Sequence, residues 1–520
     1  MYKCTRYVIL LLLFSSSSLC ANILGLFPAK FKSHYIVIDS VMTELAKRGH
    51  NVTVVNAFPK SRPMGNFTDI DVSACDQLPD DVFSMDEAYK EFNTIHGLGI
   101  LFELAAFFEP LIACESVQQL LRSDQSFDLI ITEIFHTDVM LALTDKFKAP
   151  HMAFVMNPLF PWAAERIGNP WNPSYISLPF TDYPMDQKNP TFSQRFWNTV
   201  YSFYGAYKHY ETNLQNEKMA RKYFNNKIPL SEIAKNTSLI LSFSHFSFNG
   251  PVPLLPNVIE IGGVQIRPAK PLPEDIQKFI DESEHGVIYF SMGSLLRMDT
   301  FPDHKRIAFF NAFAKVPQRV IWKWGKSHFP HESNKILVKS WLPQRDILAH
   351  PKVKLFIGHG GALGLNEAIY EKVPVLGIPM YSDQTTNLHA LQSQGVAEIL
   401  HYTDIDNDTV LAKIKQVLQP EYSINMKKVS EIFKDRPMSA MDTAIYWIEY
   451  VIRHKGAPHL RSAVADLHYY QYLLLDVIAF LLLVIFGGIF LAYYVMKKFL
   501  SFFNPIPSSD SRKKNVKKYQ

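Results

Sequence analysis

Between residues 341 and 384 the chain reads WLPQRDILAHPKVKLFIGHGGALGLNEAIYEKVPVLGIPMYSDQ, and its polar side chains suit one kind of ligand. The stretch carries an indole (Trp341), an amide (Gln344) and a histidine on a glycine turn (His359, Gly360, Gly361). Three more polar groups follow, Glu367, Asp383 and Gln384. Indole faces stack on planar rings, carboxylates accept bonds from vicinal hydroxyls, and glycines let backbone N–H groups approach an anion at a helix start. Such a set can grip a base, a phosphate and two sugars. Any one of these residues is as readily a cap or a turn residue; the ordered block points to a nucleotide-sugar site.

A transfer reaction at such a site also needs a base. His34 is the candidate, because neutral imidazole, with a free pKa of about 6.5, suits proton removal from a hydroxyl near pH 7. It sits just after an apolar run, NILGLFP at residues 22–28, and just inside a helix that Ser33 is expected to cap. A helix N-terminus disfavours the imidazolium and so keeps the base neutral.

The elements that must position these groups read as alternating strands and helices. A β-α-β opening over residues 22–57 is followed by helices over 85–122 and by strands at 127–132, 150–155, 239–243 and 258–261. Residues 158–190, dense in proline and aromatic side chains, read as an irregular wall around an apolar ligand. RPAKPLP at 267–273 begins a linker placed over 267–285. Strands follow from 286, at 320–324, 336–338, 353–357, 375–378 and 397–400, with a long helix at 438–453. The expected class is α/β, two doubly wound halves (22–266 and 286–454) facing a cleft, with ligands at the strand ends.

The pattern WLPQ followed by HGG-x5-E-x6-P-x4-P-x3-DQ resembles that of membrane-bound UDP-glycosyltransferases, the group that includes the glucuronosyltransferases. The likeness runs over nearly the whole chain, and ANILGLFP with GNPWNPSYI at 168–176 resembles insect members in particular. It implies a GT-B fold of two Rossmann-like domains, with the 438–454 helix packing back on the first. It also implies inverting transfer of a hexose from a UDP-sugar; helix amides can neutralise the leaving diphosphate, so no metal or further cofactor is required. By this resemblance Trp341 lies under the uracil and Gln344 near base and ribose. His359 and the Gly360–Gly361 amides face the diphosphate, Glu367 takes the ribose hydroxyls, and Asp383 and Gln384 hold the donor sugar. Ser291, Gly293 and Ser294 close over the phosphates. The insect likeness points to UDP-glucose over UDP-glucuronic acid, and to a small lipophilic alcohol or phenol as acceptor, in detoxification or conjugation of endogenous metabolites.

Three positions depart from the family pattern. Gly358 stands where many relatives have Thr or Ser, and Leu363 where some have Asn, so two hydroxyl or amide donors near the phosphates are lost. The aspartate that orients the base is replaced by Glu133, with Asp138 five residues on. Glu133 holds the aligned position and Asp138 the expected side chain, which leaves both as partners for His34. These departures motivate the alternative of a non-catalytic UDP-sugar-binding relative; a membrane-lipid glycosyltransferase is a further alternative. Asp-x-Asp pairs at 69–71, 404–406 and 406–408 are too weak a pattern to assign a metal.

Composition fits a folded body: 48% hydrophobic and 20% charged residues. The +4 formal charge comes from residues 497–520, whose seven basic residues and one acid give +6 and leave −2 elsewhere, so no nucleic-acid-binding body is indicated. Residues 1–21 have the layout of a secretory signal peptide. Residues 477–495 carry no charge over about 28 Å, enough for a single span, placed over 473–496. Lys497 and Lys498 put the following tail (497–520) in the cytosol, and Lys517-Lys518 resembles a dilysine signal for the endoplasmic reticulum. The expected form is a single-pass type I protein with a lumenal body, glycosylated at Asn66, Asn236 and Asn407, the sequon at Asn51 leading into a strand. Pairing of Cys75 with Cys114, and assembly as a homo- or hetero-oligomer, stay open.

Overall fold

The computed structural model describes residues 20–76, 83–92, 95–181, 184–186, 189–325 and 333–503. Most of the expected signal peptide, and the tail beyond 503 with Lys517 and Lys518, lie outside the described residues.

Among the described residues, seven strands form the first sheet. They are β1 (Asn22–Phe27), β2 (Asn51–Asn56), β3 (Phe67–Asp71), β4 (Leu129–Glu133), β5 (His151–Val155), β6 (Thr237–Ser242) and β7 (Val258–Glu260). All neighbours run parallel in the order β3-β2-β1-β4-β5-β6-β7. Helices cover both faces of such a sheet, so β5 is buried at every residue and reads as a run rather than an alternation. Strand order reverses between β1 and β4, and a crevice opens at their C-terminal ends. Helix α1 (Lys32–Lys47) starts there. Its N-cap is Phe31, with no side-chain cap; Ser33, expected in that role, is inside the first turn.

The second sheet repeats the plan with β8 (Val287–Ser291), β9 (Arg319–Lys323), β10 (Ile336–Lys339), β11 (Val353–Gly358), β12 (Val375–Gly377) and β13 (Ala397–Ile399). Their order is β10-β9-β8-β11-β12-β13, so the reversal falls between β8 and β11. The expected linker is shorter than 267–285. Residues 274–281 form a helix, α2 (Glu274–Asp281), because Ile276, Phe279 and Ile280 fall on one face and bury against Val287, Tyr289 and Ile321. Helices α3 (Ala362–Glu371) and α4 (Gln384–Gln392) follow β11 and β12.

Each half lends the other an element. Helix α5 (Ala440–Arg453) packs Ala444, Ile445, Ile448 and Val451 into the core of β1 and α1, and Arg48 Nη2 pairs with Asp442 at 2.7 Å. In return, Phe83–Ser84 pairs with Leu296–Arg297, while Met85 and Ala88 bury beside Phe290 and Phe309. Tyr402 donates to Asp86 at 2.6 Å on the same seam. These exchanges hold the two crevices in one body.

Of residues 158–190, the described part beyond 167 is irregular as expected, but none of it lines the cleft as a ligand wall. Pro161–Ile167 is a helix with proline at its first turn, and Phe160, Trp162, Leu178 and Phe180 are core. Their apolar side chains serve packing beneath the sheet. Cys75 and Cys114 are joined in a disulfide. Residues from 463 onward form a separate unit, in which α6 (Leu475–Phe503) is long and apolar enough to cross a membrane.

Ile448 is fully buried in the α5 seam. Ile448→Ala is expected to lower unfolding free energy by about 2–4 kcal/mol. Denaturant titration of the detergent-solubilised protein checks this; a loss under about 1 kcal/mol would show that α5 is not part of the folded core.

Candidate active site

The two crevices face one another across a cleft of about 490 Å3. His34 lines it from the first half. From the second half come Ser291, Gly293, Ser294, Trp341, Gln344, His359, Gly360, Gly361, Glu367, Asp383 and Gln384. Residues some 300 positions apart thus share one space, because most lie just past the C-terminal ends of strands, with Glu367 carried on α3.

In the first turn of α1, His34 Nδ1 is 2.5 Å from Oε1 of Glu133, the last residue of β4. The proton therefore belongs on Nδ1, and Nε2 keeps its lone pair. Burial pushes the imidazole pKa down, but the Glu133 charge and hydrogen bond, with the more distant Asp383, hold it above the ordinary histidine value. Against the expectation of a value lowered by the helix end, the two carboxylates outweigh burial and raise it. Asp138, the other candidate partner, is committed elsewhere. Arg166 Nη2 donates to both its oxygens at 2.6 and 2.8 Å, and His209 lies 3.6 Å away. Although burial pushes its carboxyl up, Arg166 and His209 hold it far below the usual range.

On the other wall, β8 ends in a turn at Gly293, whose φ of +81° is left-handed and whose Cβ would stand 2.7 Å from His359. Gly360, with φ +92°, would meet Leu388 at the same distance. Only glycine fits at both. His359 is pulled down to about 4, first by burial and then by Lys323, so at neutral pH it is an uncharged hydrogen-bonding group. Lys323, at the end of β9, donates to the Gly293 carbonyl at 2.6 Å and lines the cleft. It supplies a positive charge beside this turn that no sequence motif announced; its position at a strand end is the available signal. The first turn of α3, after Gly361, has no side-chain cap and opens its amides beside these groups. The absent side chain at Gly358 has a packing reason: a Cβ there would stand 2.7 Å from the Phe356 ring, which stacks on Tyr289 at 5.5 Å.

Farther along the cleft, Gln344 Nε2 donates to Glu367 at 2.8 Å, and Tyr289 donates to the Gln344 carbonyl at 3.3 Å. Burial lifts the Glu367 carboxyl to about 7. Trp341 is 59% exposed, a platform with Lys32 Nζ 4.4 Å and Lys323 Nζ 5.1 Å from its ring centre. Asp383 accepts from Asn387 at 2.6 Å, and burial raises its carboxyl. The Gln384 carbonyl is fixed by the amides of Met380 and Tyr381. Apolar side chains also line the cleft, among them Phe31, Ile36, Phe83, Leu101, Leu104 and Phe135. Outside the cleft, Asn66, Asn236 and Asn407 are exposed, as is Asn51. Asp406 caps the helix Asn407–Val417.

Such a cleft can hold a base, a diphosphate and a sugar on one wall, and an apolar hydroxyl compound against a base on the other. The family described as UDP-glucoronosyl and UDP-glucosyl transferase matches residues 23–508. The chain is 46% identical to UDP-glycosyltransferase UGT5 of Dactylopius coccus over 94% of both chains. It is 40% identical to UDP-glucosyltransferase 2 of the same insect, over 98% of this chain and 99% of the relative. Human UDP-glucuronosyltransferase 2B7 is 31% identical over 92% of each. Among solved structures, the glycotransferase of kitacinnamycin has a TM-score of 0.56 at 15% identity, covering 83% of this chain and 99% of its own. The calicheamicin glycosyltransferase CalG4 has 0.54 at 14%, covering 84% and 99%. The shared architecture is GT-B.

His34 should titrate above 6.5, and Glu133→Gln should bring it below 6.5, because burial is then opposed by Asp383 alone. The pH dependence of His34 modification by diethyl pyrocarbonate measures this. An unchanged midpoint in the variant would show that Glu133 does not control the imidazole.

Proposed function

Because the chain belongs to the UDP-glucoronosyl and UDP-glucosyl transferase family, and so is a glycosyltransferase, we propose that it moves glucose from UDP-glucose to the hydroxyl of a small lipophilic alcohol or phenol, inverting the anomeric carbon. The observation that carries this reading is the His34–Glu133 contact, which leaves Nε2 as a base in the same cleft as Asp383.

His34 Nε2 takes the acceptor proton as the hydroxyl oxygen attacks C1 of the sugar. The bond from C1 to the β-phosphate oxygen breaks, and its electron pair leaves with UDP. Glu133 stabilises the imidazolium, as a buried carboxylate does for a catalytic histidine. Lys323, neutral His359 and the α3 amides receive the charge that builds on the diphosphate. Trp341 stacks the uracil, Gln344 bonds base and ribose, Glu367 takes the ribose hydroxyls, and Asp383 with Gln384 holds the hexose.

A neutral hexose suits the sugar end better than a uronic acid. Asp383 would face the sugar, with Glu133 close behind His34, so a carboxylate on the sugar would meet like charge. Of the cations lining the cleft, Arg267 is held by Asp346 at 2.8 Å and Arg345 by Glu371 at 2.7 Å, while Lys32 and Lys323 lie over the Trp341 ring on the nucleotide wall. The apolar wall favours lipophilic acceptors, as in conjugation of xenobiotics or endogenous metabolites. The apolar helix α6, with Lys497 and Lys498 near its C-terminal end, supports a lumenal body in the endoplasmic reticulum membrane.

His34→Ala should lower glucosyl transfer by about 10^2–10^4-fold and leave UDP affinity within about twofold. Labelled UDP-glucose with a phenol panel, beside calorimetry with UDP, reads both; wild-type turnover in the variant would remove His34 from the chemistry. UDP binding should also depend on pH. Ribose hydroxyls donate to the ionised Glu367, which forms only above about 7, so affinity should rise with pH through 7. It should fall by up to about tenfold per unit below that point. Glu367→Gln should flatten the profile, and a flat wild-type profile would contradict the assignment.

A further inference from the structure

Adjoining the His34–Glu133 pair is a second cavity, of about 30 Å3, walled in part by Phe31, Phe108, Glu133, His136, Thr137 and Asp138. His136 is 3% exposed, and among the described residues neither ring nitrogen has a hydrogen-bond partner. Its ring is packed edge-on against Phe31, Phe108 and Phe135 at 5.7, 5.4 and 4.9 Å. A phenyl ring would fill that cage equally well. A buried polar group without a partner costs about 1–3 kcal/mol. Packing therefore does not account for an imidazole at this position.

The cavity does account for it. Its volume exceeds the roughly 10–15 Å3 of free space that one water molecule needs. The other polar groups of its wall are engaged: Thr137 donates to Asn216 at 2.9 Å, Thr132 pairs with His151 at 2.9 Å, and Asp138 holds Arg166. Glu133 spends Oε1 on His34, and a carboxylate can accept further bonds. We propose that this cavity binds a water molecule that accepts from a His136 N–H and donates to Glu133, making His136 a positioning residue for the carboxylate that holds His34. The inference rests on the reading of His34 and Glu133 as the catalytic pair.

The bridge requires a neutral donor. Burial, and secondarily the charge of His34, pull His136 down to about 3, so it donates without adding a positive charge beside the imidazolium. The titratable groups bearing on His34 are then Glu133 from β4, His136 from the loop after it, and Asp383 from the second half. A bond donated to Glu133 keeps that carboxylate aimed at Nδ1.

The test compares His136→Phe, which fills the cage without a donor, with His136→Gln, which retains one, and with Glu133→Gln. The Phe variant should lose about tenfold in kcat, keep the donor KM within about twofold, and move the acid limb of kcat/KM to lower pH. The Gln variant should keep a near-wild-type limb. In the Glu133→Gln background the Phe substitution should add nothing, since the group it positions is gone. A wild-type limb and kcat in His136→Phe, beside an impaired Glu133→Gln, would overturn the water bridge alone. Wild-type activity in Glu133→Gln would instead overturn the catalytic pair and the bridge with it. Should the Phe variant not fold, His136→Ala replaces it: a shifted limb in Ala and not in Gln supports the bridge, and equal limbs in both overturn it.

Discussion

The structure depends on an imidazole held against a carboxylate at the place where the first sheet reverses its strand order. Burial alone would strip His34 of its proton affinity. The 2.5 Å contact with Glu133 reverses that preference. The contact needs β1 and β4 to be neighbours, so that the helix following one can meet the end of the other. It also needs Asp138 to be satisfied elsewhere, which Arg166 achieves. A second buried carboxylate left unpaired near the site would compete for the same histidine, and a broken buried pair is costly, about 3–5 kcal/mol.

The opposite wall handles charge differently. His359 is kept uncharged by burial and by Lys323, so the positive charge beside the Gly293 turn comes from the lysine at the end of β9. Uncapped amides at α3 add partial charge without a further ionisable group. In the proposed reaction this division places the proton acceptor on one half and the electrostatic receptors on the other. The exchanged elements, α5 in one direction and residues 83–92 in the other, keep the halves in register.

Much of the fold was legible because parallel strands buried on both faces appear as short apolar runs ended by glycine or polar turns. The ordered block from Trp341 to Gln384 was legible for a related reason: each member stands at a strand end or a helix start. What stayed hidden depended on reach and on partners. Glu133 and Asp138 could not be separated, since the choice turns on where β4 ends and on an arginine 28 residues later. Lys323 and Tyr289 sit in strands that read as core. Residues 274–281, preceded by a proline-rich run, read as linker by composition, yet three of their apolar side chains share one face in the second core. The aromatic stretch 158–190 was read as a ligand wall, but apolarity does not reveal which side of a sheet it covers.

In the proposed reaction the base and the departing diphosphate act from opposite walls, so that attack and departure occur in line in a single displacement. The anomeric configuration of the product formed from UDP-glucose and a simple phenol, read by proton NMR before any hydrolysis, tests this most directly. A β-glucoside from the α-linked donor is the predicted result. An α-glucoside would contradict it, since retention requires a covalent intermediate or attack from the face of the leaving group.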